Sequence, residues 1–385
     1  MTDLIYYITF FSLTLIVSLY LNGYLNRLFV GNKLTDPINE RSSHNYPATR
    51  SGGLSVFFTV CIASAFAVAT DELFFPLYVL LSVFFMTLTG FADDLIEVRY
   101  REKLFLQLFA GVLMIQSGYY IDSFHGVFGV YELPYWLSVF VSLFVFVVVV
   151  NALNLIDGLD GLASFLSIKF FLVAGGIILI ADSKMFLFFP IIIGALIGFL
   201  TYNFNRTNKV FLGDTGSLFL GSIMSFLIFY ILDTENSIIT DSFISRPFLT
   251  VLMLVYPLVD TLRAFSIRAY RNQSPFVADR IHLHHRLADK GYEHWQASLL
   301  IFILSVLILL INCIVFLTLG LIGCVALTLF LLGLIYYLFL NEKTTVFIFK
   351  FILFSFVFTG KSSIRATTNC KRLYFVLFFF QNGGL

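Results

Sequence analysis

Long apolar runs separated by short polar loops follow one another along this 385-residue chain. Each run is close to the roughly 20 residues that a helix needs to cross the hydrocarbon core of a bilayer. The pattern predicts about eleven transmembrane helices, at residues 4–22, 53–70, 74–91, 104–121, 134–152, 163–181, 185–203, 218–232, 247–266, 297–319 and 321–340. We therefore expect an all-α, polytopic integral membrane protein whose membrane-embedded domain covers residues 1–340.

The chain changes character after this domain. Residues 344–385 hold ten phenylalanines among 42 residues, together with a basic patch. The apolar run 346–358 is too short to span a bilayer, and it contains Lys350. Two interpretations of the tail, residues 341–385, stay open. It is either a segment that lies at the membrane interface or a stretch translated from a shifted reading frame.

The composition supports a membrane protein and excludes two other classes. The chain is 59% hydrophobic and 12% charged, with a mean hydropathy of +0.92, whereas soluble domains are about 25% charged. The net charge of +1 is dispersed among loops, so we expect no nucleic-acid partner. The spacing of Cys61, Cys313, Cys324 and Cys370 fits neither a disulfide framework nor a metal knuckle. We expect these cysteines to be packing residues.

Lysine and arginine are distributed unevenly between the two sets of loops. Fourteen of them lie in one set: Arg27, Lys33, Arg41, Arg50, Arg99, Arg101, Lys103, Arg206, Lys209, Arg268, Arg271, Arg280, Arg286 and Lys290. The opposite set holds only Lys184 and Arg246. Because cytoplasmic loops are enriched in lysine and arginine, the first set should face the cytoplasm. The polar motifs fall in that set, so we expect catalytic loops on the cytoplasmic face.

Two adjacent carboxylates, Asp93 and Asp94, lie in the sequence G-F-A-D-D-L where the third predicted span ends. Adjacent residues of a helix point about 100° apart, so the two side chains need not share one ligand. One can bind a metal ion, or a phosphate through Mg²⁺, while the other orients a reactant. For this pair taken alone, a solvated helix end is the alternative.

Residues 151–163 read N-A-L-N-L-I-D-G-L-D-G-L-A and place Asn151, Asn154, Asp157 and Asp160 three residues apart. A step of three residues turns a helix by about −60°, so neighbouring members of this series face one another. Amide and carboxylate oxygens are the ligands that Mg²⁺ prefers. The motif therefore predicts a site for a hard cation, and the alternative is a simple turn with a helix cap.

The sequence F-L-G-D-T-G-S occupies residues 211–217, directly before the eighth predicted span. Backbone N–H groups at the start of a helix favour anions. Asp214 would repel a bare phosphate, however, so its presence indicates a metal ion between the two.

A loop rich in charged residues and histidines follows the ninth predicted span. It contains Arg263, Arg268, Arg271, Asp279, Arg280, His282, His284, His285 and Arg286. Zinc is one interpretation of three close histidines, but no fourth Cys or acidic ligand stands at a familiar spacing. Imidazoles beside several guanidinium groups suit pyrophosphate recognition better. A loop that only fixes the membrane topology is the third interpretation.

In their order and spacing, these four motifs resemble the polyprenyl-phosphate N-acetylhexosamine-1-phosphate transferase family, glycosyltransferase family 4. The stretch D-R-I-H-L-H-H-R-L resembles the branch that uses N-acetylglucosamine. The resemblance implies transfer of an N-acetylhexosamine-1-phosphate, most simply N-acetylglucosamine-1-phosphate, from a UDP-sugar to undecaprenyl phosphate with release of UMP. It further implies the first membrane step of cell-envelope polysaccharide synthesis, at the cytoplasmic face of the bacterial inner membrane. Mg²⁺ would be the cofactor, with Mn²⁺ as an alternative.

The resemblance also implies roles for individual residues. The catalytic residues would be Asp93, Asp94, Asp157, Asp160 and Asp214. Asp214 would be the main Mg²⁺ ligand, with Asn154 beside it. The substrate-binding residues would be Lys103, Asp260, Arg268, Arg280, His282, His284, His285 and Arg286. One departure concerns residues 47–53, which read P-A-T-R-S-G-G and lack the second proline of the family's P-T-P-R-x-G-G.

Two alternative functions stay open. One is the phospho-MurNAc-pentapeptide transferase of peptidoglycan synthesis, from the same family. The other, from a different class, is an ion-coupled transporter, for which Lys169 and Asp260 are candidate ionisable groups within spans. The expected partners are a UDP-N-acetylhexosamine and undecaprenyl phosphate in the bilayer. A homodimer is an open alternative to a monomer.

Overall fold

The structure, a computed structural model, describes residues 2–36, 48–69, 73, 75–181, 183–233, 245–272 and 282–340. The helices are α1 (Thr2–Gly31), α2 (Gly52–Ala69), α3 (Leu77–Ile96), α4 (Tyr100–Gln116), α5 (Tyr135–Ile156), α6 (Leu162–Ala181), α7 (Ser183–Phe186), α8 (Phe188–Asn203), α9 (Gly213–Leu232), α10 (Arg246–Met253), α11 (Val255–Tyr270), α12 (Leu283–Asp289) and α13 (His294–Leu340), with one 3₁₀ helix at Val127–Gly129. Over these residues the only β-type pairing is two isolated bridges. The predicted all-α fold is therefore confirmed.

Seven of the described helices are long and apolar enough to cross a membrane, and the bent pair of α10 and α11 makes an eighth if it counts as one span. The protein is thus a multi-pass membrane protein, but the predicted count of eleven spans is not confirmed. The difference has local causes. Helix α4 has 17 residues and begins with charged side chains, while α8 has only 16 residues. Helix α13 counts once, although two spans were predicted within it.

A break inside α13 explains the last of these differences. Gly320 has a φ of 62° and a ψ of −163°, which no helix contains. Thr328, after the break, donates a hydrogen bond to the side chain of Asn312 before it (3.0 Å), and the thiol of Cys324 donates to the Asn312 carbonyl (3.3 Å). Polar contacts of this kind join helices in lipid, where apolar surfaces gain little by meeting.

The chain divides into two compact units, Met1–Phe330 and Leu331–Leu385. The second unit is described only over residues 331–340, which are helical. The predicted tail, residues 341–385, lies outside the described residues, so both interpretations of it stay open.

Helix α9 is the central element of the first unit. It is buried continuously from Thr215 to Leu232, and α2, α3, α5 and α6 pack around it. Its sequence is apolar on every side after the first turn, which is typical of a helix that no lipid or water reaches. Asp214, in the first turn, is its only charged residue. The helix at the centre of the fold therefore carries a carboxylate in its first turn.

Glycines let α2 and α3 approach the first turn of α9 closely. A Cβ atom on Gly90 of α3 would lie 2.3 Å from the carbonyl oxygen of Asp214. One on Gly53 of α2 would lie 2.1 Å from the backbone nitrogen of Gly216. Close-packed interiors leave no room for such overlaps. These glycines therefore allow the end of α3 and the start of α2 to meet at the N-terminus of α9.

Helix α1 packs along α8 through small and polar residues. Four polar residues recur at every fourth position of α1 and are buried: Thr14, Ser18, Asn22 and Asn26. The hydroxyl of Ser18 donates to the Ala195 carbonyl (2.7 Å), and a Cβ on Gly198 would lie 2.6 Å from that hydroxyl oxygen. Small residues of this kind let helix backbones approach within a membrane.

Replacing Gly90 with alanine is expected to lower the thermal-unfolding midpoint of the detergent-purified protein by several degrees. Overpacking costs about 1–3 kcal/mol, which exceeds the roughly 1 kcal/mol that alanine gains over glycine in a helix. The control is Gly176→Ala on α6, where no atom lies within 4 Å of the added Cβ. That variant should keep or raise the midpoint. An unchanged midpoint for Gly90→Ala would contradict the close approach of α3 and α9.

Candidate active site

Two short segments lie side by side next to the N-terminus of α9. They carry the sequences A-T-R-S-G-G, residues 48–53, and F-L-G-D-T-G-S, residues 211–217. The backbone of Thr49 donates to the Lys209 carbonyl (3.3 Å) and accepts from the Phe211 N–H (2.7 Å). The Gly53 N–H donates to the Leu212 carbonyl (2.9 Å). This pairing gives the first segment a defined conformation without the second proline of the related pattern.

Asp94 binds the N-terminus of α9. Its carboxylate accepts hydrogen bonds from the Asp214 N–H (3.0 Å), the Thr215 N–H (2.9 Å) and the Thr215 hydroxyl (2.6 Å). Gly213 has a φ of +70°, and a Cβ there would lie 2.7 Å from Asp94 Oδ2, so this position requires glycine. The first N–H groups of a helix lack intrahelical partners, and the helix dipole favours a carboxylate beside them. Asp94 therefore holds the motif G-D-T-G-S against α3.

Asp93 points into a different cluster. The Lys103 Nζ lies 2.7 Å from Asp93 Oδ2 and 2.5 Å from Asp214 Oδ2. The other oxygen of Asp93 accepts from the Val98 N–H (2.7 Å). Two carboxylates from α3 and α9 and one ammonium group from α4 thus form a single charged cluster. The adjacent pair Asp93 and Asp94 is divided between this cluster and the end of α9.

The two asparagines of α5 also have different partners. Asn151 exchanges two hydrogen bonds with Gln107 of α4, at 2.7 and 3.2 Å. Asn154, one turn later, donates to the hydroxyl of Ser217 on α9 (2.9 Å). Asn151 therefore ties α5 to α4 beside the site, whereas Asn154 lies against the G-D-T-G-S motif.

Asp157 and Asp160 lie in the turn between α5 and α6. Burial raises the pKa of Asp157 well above its ordinary value, and the nearby carboxylate of Asp214 raises it further. Asp160 is neutralised differently, because the Lys209 Nζ lies 2.6 Å from its Oδ2. Of the two, Asp157 is the carboxylate whose ionised form would gain most from an added cation.

A cavity of about 270 Å³ opens between these segments. The described part of its lining contributes five carboxylates, together with the amide of Asn154: Asp36, Asp94, Asp157, Asp160 and Asp214. This volume is near the lower end of the range, about 300–1,000 Å³, that small-molecule sites occupy. The cavity is strongly acidic, so an anionic substrate could enter only together with positive charge.

The donor set fits a hard divalent cation. Carboxylate and amide oxygens are the ligands that Mg²⁺ takes, and the cavity presents both types from Asp214, Asn154 and Asp157. The raised pKa of Asp157 means that the protein places too little positive charge beside this carboxylate to stabilise its ionised form. Residues that would hold Mg²⁺ are therefore present, and the assignment of Asp214 and Asn154 as its ligands stays a prediction.

A second cluster, which is almost fully buried, forms around Asp260 of α11. Its Oδ2 lies 3.1 Å from His282 Nδ1 and 3.4 Å from His284 Nδ1, while Oδ1 accepts from the Leu283 N–H (2.8 Å). The guanidinium of Arg268 lies 3.4 Å from His282 Nε2 and is also buried. These polar groups contact one another.

The contacts of Arg268 argue against zinc in this cluster, although Asp260, His282 and His284 place their ligand atoms within 4.8 Å of one another. A guanidinium group can only donate hydrogen bonds, so His282 Nε2 must accept. The proton of a neutral His282 then lies on Nδ1, which donates to Asp260. Zinc binding at Nδ1 would have to displace this proton, and zinc binding at Nε2 would have to displace the guanidinium of Arg268. We therefore interpret the cluster as a hydrogen-bonded unit.

His284 connects this unit to the cavity. A Cβ atom on Gly158, which lines the cavity next to Asp157, would lie 2.7 Å from His284 Nε2. Burial lowers the pKa of His284, so its imidazole is neutral at pH 7. The neutral ring of His284, whose Nδ1 lies 3.4 Å from Asp260 Oδ2, thus packs against the turn that carries Asp157 and Asp160.

The remaining residues predicted to bind substrate have different surroundings. Arg286 is exposed on α12, and His285 is half-buried with its ring centroid 4.4 Å from that of His284. Arg280 lies outside the described residues. The substrate-binding roles of these residues, and of the buried Asp260, Arg268 and His282, stay predictions.

From the sequence, Arg50 and Lys209 were informative only for membrane topology, and no motif includes Asp36. In the structure Arg50 and Asp36 line the cavity, and the Arg50 Nε lies 2.9 Å from Asp36 Oδ1. Burial alone would lower the pKa of Arg50, but Asp36 and Asp94 outweigh it and the pKa is raised, so the group stays charged. A cation two residues before a pair of glycines, in R-S-G-G, was the available signal for Arg50.

Comparison with known proteins gives a consistent result. The model of the family described as glycosyl transferase family 4 matches residues 76–232. Over 307 residues the chain is 31% identical to the probable undecaprenyl-phosphate N-acetylglucosaminyl 1-phosphate transferase of Bacillus subtilis, covering 77% of this chain and 81% of that protein. Over 301 residues it is 30% identical to the undecaprenyl-phosphate alpha-N-acetylglucosaminyl 1-phosphate transferase of Yersinia pestis, covering 74% and 79%. Over 292 residues it is 30% identical to the decaprenyl-phosphate N-acetylglucosaminephosphotransferase of Mycolicibacterium smegmatis, covering 69% and 71%.

The different contacts of the adjacent aspartates predict different effects on stability. Asp94→Asn should lower the free energy of unfolding by about 1–3 kcal/mol, because the charged acceptor at the start of α9 is lost. Asp93→Asn should lower it less, because it removes repulsion from Asp214 along with the contact to Lys103. Thermal unfolding of both variants in detergent, without substrates, measures the difference. An equal or larger loss for Asp93→Asn would contradict the division of the pair.

Proposed function

The chain belongs to glycosyl transferase family 4, in its branch of polyprenyl-phosphate N-acetylglucosaminyl 1-phosphate transferases, and from this we propose that it transfers N-acetylglucosamine-1-phosphate from UDP-N-acetylglucosamine to undecaprenyl phosphate. The observation that carries this proposal is the acidic cavity at the N-terminus of α9. Motifs that are far apart in the sequence meet there, at the ends of membrane helices, where a lipid phosphate and a soluble nucleotide can both arrive.

The proposed reaction is one displacement at phosphorus. An oxygen of the lipid phosphate forms a bond to the phosphorus atom that carries the sugar. The bond between that phosphorus and the oxygen of UMP breaks, and UMP leaves with the electron pair. The products are UMP and a polyprenyl diphosphate that bears N-acetylglucosamine.

Charge is the main obstacle to this reaction, because both substrates are anions and the cavity is acidic. Mg²⁺, or Mn²⁺ in its place, would be held by Asp214 and Asn154 with Asp157 beside them. When bound, such an ion supplies positive charge to the phosphoryl oxygens. Phosphoryl transfer depends mostly on positioning and on charge stabilisation, which is what the fixed groups around α9 offer.

Asp93 contributes more through position than through proton removal. A phosphate monoester has a second pKa near about 6 and is largely dianionic at pH 7, so a general base on the acceptor gains little. The contact of Asp93 with Lys103 places an ammonium group beside Asp214. Lys103 is therefore positioned to contact the phosphate of a substrate once its ammonium group has separated from one of the two carboxylates.

The cytoplasmic face of the bacterial inner membrane is the proposed location of the site. The strong excess of lysine and arginine in the loops on the side of the site supports this orientation, and nucleotide sugars are made in the cytoplasm. The product would feed cell-envelope polysaccharide synthesis.

The alternatives have less support. The relatives act, by their names, on N-acetylglucosamine rather than on MurNAc-pentapeptide. A transporter would place ionisable groups along a pathway near mid-membrane. Asp260 is instead bonded to histidines within a buried cluster, and Lys169 is buried on α6.

Membranes that contain the protein should convert undecaprenyl phosphate with UDP-N-acetylglucosamine, and chelation of divalent cations should stop the reaction. Parallel assays with UDP-N-acetylgalactosamine and UDP-MurNAc-pentapeptide measure donor choice through release of UMP. Faster turnover with UDP-MurNAc-pentapeptide would contradict the proposed function and support the pentapeptide transferase. Counterflow of a solute into sealed vesicles without any transfer would support the transporter.

Asp214→Asn is expected to reduce transfer by roughly a hundred- to a thousandfold, the range for one electrostatic group at a reacting centre, while the protein still inserts into the membrane. The control is Glu102→Gln, an exposed carboxylate beside Lys103 that should leave the rate within twofold of wild type. Initial rates at matched protein levels measure both. Near-normal transfer by Asp214→Asn would contradict the assignment of Asp214 as a ligand of the cation.

A further inference from the structure

The described lining of the cavity carries more negative than positive charge. Five carboxylates line it, and Arg50 is the one cation among the lining residues that the structure describes. An anion that enters meets repulsion from the carboxylates, and a single divalent cation neutralises only part of it. The guanidinium of Arg50 is therefore the positively charged group in the described lining that can contact a phosphate directly.

The other cations near the cavity are already held by carboxylates. Lys103 lies between Asp93 and Asp214, with 14% of its side chain exposed. Lys209 is paired with Asp160, and 11% of its side chain is exposed. For Arg50 the exposed fraction is 42%. Of these three cations, Arg50 is the one that an arriving substrate can reach without breaking a close pair.

The guanidinium is oriented by one strong contact and keeps further donors. Its Nε lies 2.9 Å from Asp36 Oδ1, within hydrogen-bond distance. Its Nη1 lies 3.7 Å from Asp94 Oδ1, which is too long for a hydrogen bond. A guanidinium carries five N–H donors in a planar fork that matches phosphate oxygens. With Asp36 on one edge, terminal donors of Arg50 remain available for a phosphate.

The backbone that carries Arg50 is also fixed before any substrate arrives. Its neighbour Thr49 pairs with Lys209 and Phe211 through backbone hydrogen bonds, and the Thr49 hydroxyl donates to Asn26 of α1 (2.9 Å). Preorganised groups lose little entropy when a ligand binds. The segment therefore has the properties of a built binding element rather than of a flexible loop.

We propose that Arg50, oriented by Asp36, binds a phosphate group of a substrate in this cavity. The proposal rests on the proposed function, because it takes the ligands to be UDP-N-acetylglucosamine and undecaprenyl phosphate. The diphosphate of the first and the phosphate of the second offer the same oxyanion chemistry to a guanidinium. Separate measurements with each substrate identify which phosphate Arg50 contacts.

The test compares Arg50→Gln and Arg50→Lys with wild type in the full-length protein. Direct binding of each substrate, and KM and kcat for each, are measured with the unfolding midpoint as a check on folding. Arg50→Gln should raise Kd and KM for one substrate roughly 10- to 100-fold, as expected for a charge-assisted hydrogen bond. Arg50→Lys should restore only part of this loss, because an ammonium group cannot form the planar fork.

Two further variants complete the design. Asp36→Asn should weaken binding of the same substrate several-fold, because it removes the contact that orients Arg50. Arg206→Gln removes an exposed arginine that is not among the described lining residues and should change neither Kd. If Arg50→Gln does not fold, Arg50→Lys and Asp36→Asn decide the question in its place.

Unchanged Kd values for both substrates in the folded Arg50 variants would overturn the proposal, even if kcat fell, because that result describes a structural role. Failure of the proposed function has a different signature, since wild type itself would then neither bind UDP-N-acetylglucosamine nor release UMP. In that case both the proposed function and the assignment of Arg50 to these substrates are wrong.

Discussion

Helix α9 is buried from Thr215 to Leu232, so the N–H groups at the start of this buried stretch need hydrogen-bond partners within the protein. Asp94 of α3 supplies those partners, and Gly90 and Gly213 make room for the contact. The preceding residue of α3, Asp93, also lies near this helix end, where it shares the ammonium group of Lys103 with Asp214. The requirement to satisfy one buried helix terminus therefore assembles the charged cluster as well.

The fold class could be predicted because bilayer thickness sets the length of an apolar run directly. The number of spans could not, since α4 and α8 are short and charges or bends decide whether such helices cross completely. Side-chain partners were harder still. Asp93 and Asp94, or Asn151 and Asn154, are equivalent in the sequence. They differ only through the rotation of their helices, which packing against α4 and α9 determines.

The histidine-rich loop shows another limit of sequence reasoning. The prediction that its histidines bind substrate stays a prediction, and the structure adds that His282 and His284 lie against Asp260, which is 22 and 24 residues earlier in the chain. A partner on another helix cannot be recognised from local composition. Arg50 was overlooked for the same reason, because its importance depends on the five carboxylates that folding brings around it. The motifs located the site, but not the balance of charge within it.

The packing of α1 has a consequence for the order in which the protein assembles. Its buried polar stripe faces α8, a helix that the ribosome makes more than 150 residues later. During that interval α1 lies in the membrane without its partner. Thr14 and Asn22 each donate to a carbonyl one turn earlier in α1 itself, so these two donors are satisfied without any other helix. Helix α1 can therefore pack against α2 soon after synthesis, whereas its contacts with α8 form only after a much longer part of the chain has been made.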